Sequence, residues 1–499
     1  MIKLKLLSFT AALLFQVFVL KAQREAEDFE AFARETAAKF ELPSMAVIIV
    51  KDNMVVSSFG VGNKSEMEPD ENTLYAIASL SKAFTSVSIG MLVDEEKLDW
   101  EDKVIDHLPW FKMHDTYVTQ NMTIEDLLAH RSGLETFDGD LLWYGSNYTR
   151  EEAVKRIQYR VPSNGFRDEF GYQNLMYMTA GEVIEEVTGA TWDEFVKTRI
   201  LEPLQMNSTT SSFDQFSRSE NIAKPHIDGD EIPMLSYDNS GATASLNSST
   251  GDMTSWMRFW LNNGVYNDVT LLSEDAINKL WSMHTPLSLG AFDKANNSHF
   301  KGYGLGWFLM DYNGRKVIHH GGGLPGYITK IALVPEESLG IVILTNDMTS
   351  VPTLMMYAAI DWAMDNDFQV WQETFLRFKE NAAKREEDQK QQRLKTKMET
   401  PQLLEISKYA GVYEDELYGK AEIKLDNDGL RMKLLPAAAL FSGRLTPWSD
   451  HAFRFDHNDP FLTYGIVKFI VNSNDVDGFT IDLPNYDFHF DKLAFKRID

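Results

Sequence analysis

The chain has 499 residues, 44% of them hydrophobic and 12% aromatic, with a formal net charge of -26 and no cysteine. That length predicts two or three domains with sizeable cores. The acidic balance argues against nucleic acid or an anionic membrane surface as partner, since both need basic patches. The lack of cysteine excludes disulfides, cysteine nucleophiles, thiolate-bound zinc and a cysteine-anchored lipoprotein.

At the N-terminus, Lys3 and Lys5 precede an apolar run from about Leu6 to Leu20, followed by Lys21-Ala22-Gln23. A basic start before an apolar core too short for a comfortable membrane span predicts a secretory signal over 1–22. Cleavage is expected after Ala22, although Leu20 stands where a small residue is preferred; an uncleaved anchor is the alternative. No later segment is long and apolar enough to span a bilayer, so the mature chain is expected in the periplasm or outside the cell.

Residues 24–39 alternate charge and apolar side chains at helical spacing, which predicts an amphipathic helix. Met45–Val50 and Val55–Phe59 read as two strands joined across Asp52-Asn53. From Thr73 the pattern turns helical. A helix runs from Ser79 to about Asp94, and Thr123-Ile-Glu-Asp126 opens another with a capping-box pattern. Further helices are expected at about 150–158, 174–187, 191–199 and 250–263. Strands return as Lys316–His320, Tyr327–Leu333 and Ile341–Thr345, a three-strand meander. A long helix over about 351–380 grades into a charged tract, and from Pro401 to Asp499 the chain alternates like strands separated by turns such as Asp428-Gly429.

This order predicts an α+β fold for 23–380: one antiparallel sheet built from both ends of the domain, terminal helices on one face and an all-helical insert on the other. A charged linker over 381–400 and a small all-β barrel or sandwich over 401–499 complete the chain.

Three stretches carry candidate chemistry. Ser79-Leu-Ser-Lys82 puts a hydroxyl and an amine one helical turn apart. A lysine amine, with a reference pKa of about 10.4, becomes a general base when burial and a helix N-terminus lower it. A helix cap with an exposed lysine fits the same spacing, and the pattern recurs at Ser298-His-Phe-Lys301. Tyr172-Gln-Asn174 lies in a glycine-marked turn before a helix. There a phenol beside a cation ionises more readily and relays a proton, and the Asn amide donates to a substrate carbonyl; a core tyrosine with a capping asparagine is the plain alternative. Tyr237-Asp-Asn239 repeats the pattern without a following helix. Finally, His319-His320-Gly321-Gly322-Gly323 leaves a strand edge bare for close approach of a substrate backbone, with the Gly323 N–H a candidate oxyanion donor beside that of Ser79.

Taken in order, Ser79-x-x-Lys82, Tyr172-x-Asn174 and His320-x-Gly322 resemble the motifs of the serine β-lactamase and penicillin-binding-protein superfamily, in its class C-like branch of lactamase-related hydrolases. Leu127-Leu-Ala-His130-Arg-Ser-Gly133, Gly181–Gly189 and Tyr303-Gly-Leu-Gly-Trp307 are similar to flanking segments of that family. The resemblance covers about residues 30–365, and the tail resembles a small β-rich domain often appended to such hydrolases. It implies an acyl-enzyme on Ser79, acid–base work shared by Lys82 and Tyr172, substrate binding by Asn174, His320, Gly322 and Gly323, and no metal or organic cofactor. Classical β-lactamases carry Lys-Thr/Ser-Gly where this chain has His320-Gly-Gly322. The groups that hold a β-lactam carboxylate are therefore missing, and the expected substrates are small amides, esters or short peptides. The alternatives are a penicillin-binding or sensing module acylated without turnover, a true β-lactamase, and a structural surface protein.

Overall fold

The computed structural model describes residues 26–62 and 68–499; the expected signal segment lies outside them. Helix α1 (26–39) leads into β1 (Ser44–Lys51) and β2 (Met54–Gly62), joined where Asp52 and Asn53 both take positive φ. Two short polar residues that tolerate that region make the tight turn. After the helical insert come β3 (Thr285–Pro286), β4 (Lys301–Tyr303), β5 (Phe308–Tyr312), β6 (Arg315–Leu324), β7 (Tyr327–Val334) and β8 (Leu339–Thr345). The eight strands form one antiparallel sheet in the order β2-β1-β8-β7-β6-β5-β4-β3, so both ends of the domain meet in the middle at β1 and β8.

Alternation along β1 separates two cores. Met45, Val47 and Ile49 pack with Phe29, Phe32 and Leu354 under the terminal helices, while Ala46, Ile48 and Val50 join the core of the insert with Phe84, Val87 and Trp256. At the centre of that insert is helix α2 (Ser81–Asp94), buried from Ser81 to Leu92. Helix α3 (Asn174–Thr188) crosses it, and α4 (Thr250–Leu261) stacks Trp256 on Phe84 with ring centroids 3.8 Å apart. The capping box at Thr123 forms as expected, with Thr123 and Asp126 exchanging side chain-to-backbone bonds.

Two expectations need correction. The helix over 351–380 is two helices, α5 (Val351–Ala363) and α6 (Val370–Leu394), and α6 runs through most of the tract expected as linker. The break has a local cause. Asp361 gathers Tyr312 Oη, Asn313 Nδ2 and Trp371 Nε1 on its carboxylate, and Asp365 turns to φ 56°, which reverses the chain so that Trp371 reaches it. In addition, the strand expected to end at His320 continues through the three glycines to Leu324. They stay paired to β7 as far as Leu324 opposite Tyr327, and only Pro325-Gly326 turns.

Eight strands from Gly411–Asp415 to Ala494–Arg497 close into a barrel. Tyr409, Tyr413, Phe453, Phe469, Phe479 and Phe495 fill it, so its interior is packed. The barrel docks on the insert. Tyr144 donates to Asp459 at 2.8 Å and stacks on Phe488 at 4.0 Å, while Lys492 pairs with Glu135 at 2.6 Å.

Candidate active site

Ser79 sits in a single 3-10 turn, Ala78–Leu80, that runs directly into α2. Ala78 is held at φ 50°, a region that costs a residue with a side chain about 1–3 kcal/mol. Surrounding bonds impose it: Ile77 N–H donates to Leu246 O at 2.9 Å, Thr329 Oγ1 donates to Ile77 O at 3.1 Å, and Ser81 Oγ donates to Ala78 O at 2.7 Å. Gly322 lies beneath this turn. A Cβ there would stand 2.3 Å from both Ile77 O and Thr329 Oγ1, so only glycine lets β6 support the serine this closely.

Lys82 is fully buried, and its Nζ lies 3.1 Å from Ser79 Oγ, 2.6 Å from Asn174 Oδ1 and 3.1 Å from Thr243 O. Desolvation drives its pKa well below the usual lysine value, opposed by the charge of Asp140. A neutral amine has two N–H bonds, and Asn174 and Thr243 accept both. The lone pair is then left facing Ser79 Oγ, the arrangement of a general base. Asn174 is fixed in turn: its Oδ1 also accepts from Thr243 Oγ1 at 2.8 Å, and its Nδ2 donates to Asp140 Oδ2 at 2.6 Å. Burial pushes the Asp140 carboxyl up to about 8. Both members of this buried pair are thus drawn towards their neutral forms.

The Tyr172 phenol is within hydrogen-bonding reach of Ser79, and Lys82 Nζ lies 4.8 Å from its ring centroid. Its ionisation runs against the sequence-based expectation: desolvation raises the phenol well above its usual value, because a neutral Lys82 supplies no cation to hold a phenolate. Tyr172 is a protonated phenol that can pass a proton on. His320 is also neutral, pushed down to about 3 chiefly by burial. Both its nitrogens are engaged, Nδ1 donating to Gly321 O at 2.7 Å and Nε2 accepting from Tyr303 Oη at 3.1 Å. His130, buried against Tyr172 with ring centroids 4.3 Å apart, accepts the Gln173 N–H on Nδ1 and so fixes the turn that carries Tyr172.

Of these groups, Ser79, Asp140, Tyr172, Asn174 and His320 line a cleft of about 570 Å³, with Lys82 directly behind Ser79. Its floor is Ser79, Tyr172 and Asn174; one wall is β6 and β7, with His320, Gly321, Gly323 and Lys330. Because β5 begins only at Phe308, opposite His319, the edge of β6 beyond that point has no strand on this side, and Gly323 is exposed to the cleft. The opposite wall comes from the barrel, as Phe461, Tyr486, Asp487 and Phe488.

Of the residues singled out in the sequence, the structure brings Ser79, Lys82, Tyr172, Asn174, His320 and Gly323 to one cleft. Gly322 packs under the nucleophile turn and does not line it. Asn174 is spent mainly on Lys82 and Asp140, so its first task is to orient the base. The two decoys fall elsewhere: Ser298 Oγ bonds Asp311 at 3.0 Å, and Asn239 Nδ2 donates to Trp143 O at 2.9 Å. Sequence reasoning missed Asp140, Thr243, Lys330 and the barrel residues. His130 and Tyr303 lay inside segments quoted only as flanks.

A half-buried serine beside a buried lysine, completed by a phenol, on an antiparallel sheet with a helical insert, defines a serine hydrolase. Residues 29–361 match the beta-lactamase family, and the chain belongs to it; residues 395–497 match a domain of unknown function (DUF3471). Similar curated proteins include the unguisins hydrolase ungD' of Aspergillus campestris, 26% identical over 81% of this chain and 78% of the relative. Protein flp of Staphylococcus aureus is 28% identical over 62% of this chain and 60% of its own length. Among solved structures, the octameric penicillin-binding protein homologue from Pyrococcus abyssi aligns over 94% of this chain and 99% of its own, with TM-score 0.61 and 22% identity. A D-stereospecific amidohydrolase from Streptomyces sp. aligns over 63% and 92%, with TM-score 0.51 and 21% identity. At these identities the structural likeness carries the fold.

Proposed function

We propose that the chain is an exported hydrolase of small amides, esters or short peptides, working through an acyl-enzyme on Ser79. The observation that carries this reading is the fully buried Lys82 amine, held by Asn174 and Thr243 with its Nζ 3.1 Å from Ser79 Oγ. In acylation, Lys82 takes the Ser79 proton as Oγ attacks the substrate carbonyl. The resulting oxyanion faces the N–H groups of Ser79 and Gly323. Tyr172, which lines the cleft beside Ser79, passes a proton to the leaving group and recovers it from Lys82. Water then attacks the ester with the same base. The hydrolase name of the Aspergillus relative supports turnover over a sensing role without turnover. Export rests on the basic and apolar N-terminal run.

Purified protein assayed on p-nitrophenyl esters, D-alanyl peptides and nitrocefin, beside Ser79→Ala, tests the proposal. Turnover lost by at least about 10³-fold in the variant is expected. Undiminished turnover would sink it.

A further inference from the structure

Charge in the cleft is unevenly distributed. Lys330, on β7, lies directly across from Gly321 in the sheet. Because Gly321 has no side chain, the lysine extends over its backbone, and a Cβ there would lie 3.8 Å from Lys330 Nζ. Lys330 is half-buried and lines the cleft with Ser79. Among the described residues it has no ion pair and no side-chain hydrogen bond, whereas the neighbouring Lys301 is paired with Asp293 at 2.9 Å. Burial, and then the charge of Lys301, lower it to about 8. The acids of the cleft, Asp140 and Asp487, stand apart from it. A cation drawn out of water without a counter-charge is unfavourable, and a cleft open to ligands is where that charge can be met.

Resting on the Ser79 reading, we propose that Lys330 is a specificity-determining anchor for a carboxylate on the substrate, supplied from β7 because His320-Gly321 on β6 offers neither ammonium nor hydroxyl. The charge count selects a monoanion. His319 and His320 are both held neutral by burial, Lys301 is already paired, and one uncompensated positive charge remains. The bare Gly321 backbone leaves room for the carboxylate to reach Nζ beside the strand. The substrates of this enzyme are then amides or esters bearing a carboxylate near the scissile carbonyl.

Reversible boronic acids, which bond to an activated serine without turnover, read this directly. Dissociation constants of phenylboronic acid and its 3- and 4-carboxy derivatives are measured for the wild type, Lys330→Ala and Lys330→Arg. In the wild type at least one carboxy derivative is expected to bind about tenfold more tightly than the parent, as a charge-assisted contact gives. The ratio should fall to about one in Lys330→Ala and persist in Lys330→Arg, which separates charge from packing. Equal binding of all three compounds to the wild type, or a ratio unaffected by Lys330→Ala, overturns the carboxylate anchor and leaves Ser79 standing. Failure of phenylboronic acid itself to bind overturns the Ser79 reading, and the anchor falls with it.

Discussion

Lys82 bears most of the chemical argument, and its burial is a liability as well as a tool. Were it protonated, its ammonium would sit among Asn174, Thr243 and Ser79 with Asp140 as the facing acid, and desolvation opposes that state. A base is active when unprotonated, so activity should rise with pH through the lowered Lys82 pKa and be lost as pH falls through it. Measured kcat/KM against pH for a neutral ester should show that acid limb. His320, at about 3, contributes nothing to it between pH 5 and 8. Asp140 is itself held neutral below about pH 8, so Asp140→Asn should leave the limb where it is; a limb displaced by that change would contradict the neutral state of the pair. Lys82→Ala should lower kcat by about 10²–10⁴-fold, the usual worth of a positioned base. Asp140 left no trace in the sequence: it is one acid in a short turn after Gly139, and only folding sets it against Asn174. Lys330 was equally silent, since a lysine alternating with Ile328, Thr329 and Ile331 reads as the polar face of a strand.

At the scale of elements, the β6–β7 hairpin and the Ser79 turn form one unit. Thr329 holds Ile77, and Gly322 gives the two backbones room to touch. Gly322→Ala should cost about 1–3 kcal/mol of stability through overpacking. By displacing Ser79 it should also lower kcat by about 10²-fold, with KM changed less. Thermal unfolding and steady-state kinetics on one preparation check both. The central strands β1 and β8 were legible in the sequence as continuous apolar runs, because each side of the sheet there buries its own core, while β2 and β7 mix apolar with polar positions. The edge strands β3, β4 and β5 were not: they are two, three and five residues long and lack sustained alternation. The barrel was legible as a run of short strands and turns, but its aromatic filling and the loop it sends to the cleft depend on closure. The α5–α6 break was hidden because apolar spacing continues across it, while the Asp361 cluster that enforces it joins residues far apart in sequence.

For the whole molecule, the hydrolase domain and the barrel jointly enclose one cleft. Tyr486 is 79% exposed and stands at its rim with its ring edge against Phe137, while Phe488 is buried between Tyr144 and the cleft. The barrel therefore limits what can lie beside Ser79. Tyr486→Ala should raise KM about 3–10-fold for esters with bulky apolar acyl groups and leave acetyl esters and the unfolding temperature nearly unchanged. A Michaelis series over acyl length checks this; equal KM changes for short and long esters would remove the barrel from substrate selection. The central claim is covalent and has a direct test. Protein quenched in acid during turnover of a p-nitrophenyl ester is digested, and the peptide containing Ser79 is weighed. The account predicts that peptide heavier by the mass of the acyl group, with the adduct missing in Ser79→Ala; an acyl group on another residue, or turnover with no adduct at Ser79, would contradict it.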